Sequence, residues 1–123
     1  MNDENIKVKS GFNLYNKIID YNKYIRINIL PTILTVHRDV KIHLADEAYS
    51  LAKNLFLAVY NKGNIRMKYL IEMQATLSCI DMLSTTIVDL KCCNYSKVKV
   101  SIKKLEEVKN IVYAWIINEK KAK

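Results

Sequence analysis

Apolar residues fall into four stretches at spacings of three and four, the 3.6-residue repeat of an amphipathic helix, with polar residues between them. The first, about 12–36, carries Leu14, Ile18, Ile25, Ile29 and Ile33; Pro31 has no N–H to continue a helical ladder, so the helix should kink there or end near Leu30, and a helix kinked near Pro31 is the preferred expectation. The second, about 42–61, carries Ala45, Ala48, Ala52, Leu55 and Val59 and reaches Asn61-Lys62-Gly63-Asn64, whose glycine reads as a C-terminal stop. The third, about 65–91, carries Leu70, Met73, Leu77, Ile80, Leu83, Ile87 and Leu90 and breaks at Cys92-Cys93-Asn94-Tyr95-Ser96, where Ser96 suits an N-cap. The fourth, about 96–119, carries Val98, Ile102, Leu105, Val108, Val112 and Trp115 and runs into a basic tail. Helices of this length joined by short breaks make antiparallel neighbours. The expectation is an all-α fold, an up-down antiparallel four-helix bundle, as one domain over 1–123.

Composition narrows this further. Two glycines and one proline in 123 residues are too few for the turns of a sandwich, barrel or alternating βαβ fold. They also cannot write a Walker loop, a dinucleotide fingerprint or a nucleophile elbow. Unbroken apolar runs such as Leu55 to Tyr60 are far short of a membrane span, and Met1-Asn2-Asp3-Glu4 is no signal sequence. A soluble, cytoplasmic protein with no membrane association is expected. Cys79, Cys92 and Cys93 are odd in number and lack C-x-x-C spacing, which suits reduced, packed thiols. His37 and His43 are the only histidines and no Glu-x-x-His pair occurs, so neither metal nor cofactor is expected.

The formal charge is +8, which favours a phosphate-bearing partner. Lys, Ile and Asn are all abundant, as an AT-rich genome would make them, but that bias would raise Lys evenly. Instead residues 1–90 carry 11 basic and nine acidic side chains, and residues 91–123 carry nine and three. This asymmetry points to a basic surface late in the chain. Lys99, Lys103 and Lys121 fall on the outer face of the fourth helix, with Glu106 and Glu107 between them. Lysine point charges bind phosphates without reading bases.

The apolar pattern also exceeds what one bundle seam requires. Val100, Ile111 and Ile117 point away from the Leu105 face, as Ile71 and Met82 do in the third helix. Several such residues on adjacent helices suggest a homo-oligomer interface.

Arg38-Asp39-Val40-Lys41-Ile42-His43 resembles the signature of the HEPN family of small helical ribonucleases. The resemblance implies RNA cleavage with Arg38 and His43 brought together, His as general acid or base and Arg stabilising phosphate charge.

A wider resemblance covers about residues 14–117. It rests on Leu30-Pro31, Leu44-Ala45, Lys62-Gly63-Asn64-Ile65-Arg66, Tyr69-Leu70, Leu77, Leu83, Asp89-Leu90-Lys91 and Val112-Tyr113-Ala114-Trp115-Ile116. This pattern is similar to the four-helix-bundle family of the accessory variability determinant (Avd) proteins of diversity-generating retroelements, which includes the proteins of ribosomal RNA intervening sequences. The resemblance implies a basic, non-enzymatic helper with no catalytic residues, assembled as a pentameric barrel. It would bind the element's reverse transcriptase and RNA or DNA during mutagenic reverse transcription. Where the family commonly has two arginines in the third helix this chain has Asp81 and Thr85, and Tyr113-Ala114 replaces Gly-Gly. The expected phosphate-binding set therefore shifts to Lys91, Lys97, Lys99, Lys103, Lys104, Lys120 and Lys121, with Arg66. An intervening-sequence-type scaffold without a nucleic-acid role is the remaining alternative.

Overall fold

The computed structural model describes the backbone over residues 3–121 and the side chains over 13–121. Four helices account for nearly all of it: α1 (Asp3–Asn28), α2 (Arg38–Tyr60), α3 (Gly63–Asp89) and α4 (Tyr95–Lys121). No strand occurs among the described residues. α2 packs on α3, α3 on α4, and α1 on both α4 and α2, so each helix has two neighbours around one core.

That core consists of the periodic residues. Leu14, Ile18, Tyr21 and Ile25 of α1 meet Leu44, Ala48, Leu51 and Leu55 of α2, Leu70, Met73, Leu77 and Ile80 of α3, and Leu105, Val108 and Val112 of α4, all nearly inaccessible to water. Each large aliphatic side chain so buried contributes about 2 kcal/mol relative to an exposed one. Polar links run along the seams in reversed sequence order. Lys17 pairs with Glu107 at 2.8 Å, Asp20 with Lys104 at 2.7 Å, and the Tyr24 hydroxyl donates to the Lys97 carbonyl at 2.8 Å. On the other side of α1, the Asn22 amide donates to the Ala48 carbonyl and the Arg26 guanidinium lies 4.3 Å from the centre of the Tyr49 ring.

The first helix differs from expectation, because it ends at Asn28 and does not continue through a kink. An α-helix through residue 31 would need a Pro31 N–H for the Ile27 carbonyl, and the pyrrolidine ring would crowd that carbonyl. The chain instead makes two short 3₁₀ turns, Leu30–Thr32 and Thr35–His37, with the Thr32 hydroxyl donating to the Ile29 carbonyl at 2.6 Å. Turning there lets Ile29, Leu30 and Ile33 close the end of the core, all under 10% exposed. α2 then starts at Arg38, four residues before the expected boundary. Its cap residue, His37, makes no side-chain cap, though Asp39 in the first turn suits the helix dipole.

Two further boundaries are corrected. Gly63 does not stop α2; it opens α3 in the left-handed region at φ +60°, while the Asn61 amide satisfies the Leu57 carbonyl at the end of α2. The N-cap of α4 is Asn94, not Ser96: the Asn94 Oδ1 accepts from the Ser96 N–H at 2.8 Å and from its hydroxyl at 2.7 Å. The Cys93 thiol donates to the Asn28 carbonyl at 3.8 Å, tying this junction to the end of α1. No helix among the described residues is long and apolar enough to cross a membrane.

Candidate nucleic-acid interface

The expected lysines separate into two groups. Lys91, Lys97, Lys99 and Lys103 are exposed and lie at the α3–α4 junction and in the first turns of α4, Lys99 and Lys103 on one face of that helix and Lys97 on another. Lys120 and Lys121 are exposed too, but lie at the far end of α4, about 25 Å along its axis from Lys103. Lys104, between the groups in sequence, is half-buried, paired with Asp20 and stacked 5.6 Å from the centre of the Tyr24 ring. Lys109 is held by Asp81 on α3, and Glu107 by Lys17 on α1. Part of the positive charge late in the chain is thus neutralised within the bundle. Among the described residues, the free remainder is the four junction lysines and the terminal pair.

Lys91 occupies an unusual backbone position. The Leu90 N–H bonds back to Thr86, the Lys91 N–H to the Val88 carbonyl at 3.0 Å and the Cys92 N–H to the Ile87 carbonyl at 3.0 Å. These last two bonds form a Schellman turn, whose C′ residue must be left-handed and is usually glycine. Here it is Lys91, at φ 58°. A side chain in that conformation costs about 1 kcal/mol, and the turn leaves it exposed to solvent.

Arg66 departs from expectation. It is buried rather than displayed, with its Nε donating to the Ala58 carbonyl at 2.7 Å, one Nη to Glu119 at 2.9 Å and the other to the Val59 carbonyl at 3.3 Å. The guanidinium also lies 5.6 Å from the centre of the Trp115 ring. Three of its five N–H donors join α2, α3 and α4 and the guanidinium is buried, so it is not displayed as a phosphate ligand in this conformation. The sequence offered one hint, Glu119 standing on the apolar side of α4 four residues after Trp115.

The expected interface residues divide similarly. Ile71 and Met82 are about half exposed and only about 20° apart around α3, on one face. Val100 is exposed but leans toward the α1 side of α4, and Ile111 and Ile117 are half-buried, Ile111 against the core. The five do not form one continuous patch on a single chain. Arg38 and His43 sit about 140° apart around the first turns of α2, so within one chain they point in different directions.

Two buried polar atoms lack hydrogen-bond partners among the described residues, the Tyr21 hydroxyl and Trp115 Nε1. Burial, with Asp81 adding to it, pushes the Tyr21 phenol well above its ordinary range. Burial likewise raises the Cys79 thiol, with Glu47 adding to it, which suits an unreactive packed cysteine. No grouping of three or more His, Cys, Asp or Glu side chains able to hold a metal ion occurs among the described residues. No protein-family model, curated protein or solved structure matches the chain.

Proposed function

We propose that this chain is a non-enzymatic, homo-oligomeric accessory protein that binds the phosphate backbone of RNA or DNA through the junction lysines Lys91, Lys97, Lys99 and Lys103. The observation that carries this reading is Lys91, a long cation held at a strained turn position where glycine would be more stable. Strain of this kind persists where the side chain has a use. On this reading the helices form an up-down antiparallel bundle, supported by the reversed order of the α1–α4 pairings. The Avd resemblance supplies the rest of the proposal: a reverse transcriptase as partner, five copies closing into a barrel, and a cytoplasmic setting in which the polymerase does the chemistry. The exposed Ile71 and Met82 face of α3 offers apolar surface for such contacts.

The test is a salt titration of the purified protein on labelled single-stranded RNA and on an RNA–DNA hybrid, with assembly mass and RNA integrity followed in parallel. Neutralising four phosphates per protomer gives a slope of log K against log salt of about −3. Salt-steep binding with intact RNA supports the proposal. Salt-independent or absent binding overturns it, and cleavage lost on His43→Ala would replace it with a ribonuclease.

A further inference from the structure

α2 carries a second apolar line that its own bundle leaves only partly covered. Ile42, Ala45, Tyr49, Ala52, Phe56 and Val59 follow one another at spacings of three, four, three, four and three, the heptad repeat of a coiled-coil seam. The core-facing residues of the same helix are a different set, Val40, Leu44, Ala48, Leu51, Leu55 and Ala58. Ile42, Tyr49, Phe56 and Val59 are 44%, 56%, 46% and 38% exposed, and the two alanines are half-buried. α1 edges the line: Arg26 stacks on Tyr49, and the Tyr15 and Phe56 rings lie 5.8 Å apart, so both large rings are held on the side facing α1.

We propose that this line is a two-fold interface with a second copy of the same chain, α2 against α2 in antiparallel orientation, with the axis level with Ser50 and Leu51. That register pairs Ile42 with the partner's Val59, Ala45 with the partner's Phe56 and Tyr49 with the partner's Ala52, and then repeats the three layers in reverse. Each ring meets an alanine. A parallel pair in register would set ring on ring and leave gaps at the alanine layers, which close packing does not tolerate. All six layers lie within α2.

The charges on the outer flank of the line choose the same arrangement. Asp39, Asp46, Lys53 and Tyr60 recur every seven residues there, and all four are exposed. Reversing the helix about the axis brings Asp46 beside the partner's Lys53, and Lys53 beside the partner's Asp46. Asp39 falls beside the partner's Tyr60, whose hydroxyl can donate to the carboxylate. The surface is thus complementary to itself, as a two-fold interface requires. The α2 line is separate from both the lysine junction and the Ile71–Met82 face, so it stands or falls independently of the nucleic-acid reading.

Sedimentation of the full chain with two single variants tests the register. Asp46→Lys gives a copy with two lysines on this flank, and Lys53→Asp a copy with two aspartates. Each variant alone replaces two attractive pairs with two repulsive ones, weakening self-association about tenfold. Mixing the two variants restores association to the wild-type level, because every cross-pair becomes opposite in charge. Circular dichroism of each variant verifies that the bundle is intact. The proposal is overturned if the mixture associates no better than the separate variants, or if wild-type protein shows no association at about 100 μM. It is overturned equally if a folded Tyr49→Lys variant self-associates as wild type does.

Discussion

Lys91→Gly separates the two roles assigned to one residue. The Schellman turn holds Lys91 at φ 58°, and removing the Cβ there relieves about 1 kcal/mol of local strain. Glycine also loosens the unfolded chain and returns part of that gain, so the net stabilisation should be about 0.5 kcal/mol. For a domain of this size that raises the melting temperature by about 2 °C. The turn's hydrogen bonds at the Val88 and Ile87 carbonyls use backbone groups and remain in place. On the proposed phosphate-binding reading, losing the ammonium removes one phosphate contact per protomer. The magnitude of the salt slope should fall by about 0.8, with weaker binding across all sequences tested. Thermal denaturation and the salt titration on the same preparation read the two effects. A more stable variant with an unchanged salt slope would show that Lys91 does not touch phosphate, and a less stable one would refute the strain argument.

Other perturbations probe the remaining features. Glu119→Gln leaves the Arg66 guanidinium buried without its counter-charge and should cost about 3 kcal/mol by urea denaturation, most of it recovered when Arg66→Met is added. Tyr21→Phe removes a buried hydroxyl without a hydrogen-bond partner and should gain about 1 kcal/mol. Because the Tyr21 phenol is raised in the folded state, its contribution to stability is fully present below the ordinary tyrosine range and lost as pH climbs above it; Tyr21→Phe should flatten that alkaline fall in stability. Lys99→Gln with Lys103→Gln should leave the melting temperature within a degree or two while weakening RNA binding, and unchanged binding would place the surface elsewhere. Gly63→Ala forces a Cβ into the left-handed region and should destabilise by about 1 kcal/mol despite open space around it.

The helical class and the core were legible because helix periodicity and burial share one cause: side chains three and four apart stand on one face, and that face either meets other helices or does not. Leu70, Met73, Leu77 and Ile80 could be assigned to the core from spacing alone. Boundaries misled where the usual chemical marks were missing or sat at another place. α2 starts at Arg38 with no Ser, Thr, Asp or Asn cap before it, and Gly63, a usual stop signal, opens α3 instead. The candidate site was legible only by composition. Net charge in sequence cannot reveal that Lys104 and Lys109 are spent on Asp20 and Asp81, since those partners lie on other helices. Arg66 was the clearest case, its carboxylate partner being 53 residues away in sequence and visible only once α3 and α4 pack.

The buried arginine also sets how the helices may slide. Apolar faces with a regular repeat are indifferent to a shift of two turns, because every leucine then meets another leucine-sized space. A displacement of α4 by seven residues would preserve much of that match but carry Glu119 about 10 Å from Arg66. The guanidinium also needs the Ala58 and Val59 carbonyls, so α2 must be seated at the same time. Only one alignment of three helices satisfies all of these bonds. The pair therefore acts as a key against misthreaded bundles, an alignment that greasy surfaces alone would leave degenerate.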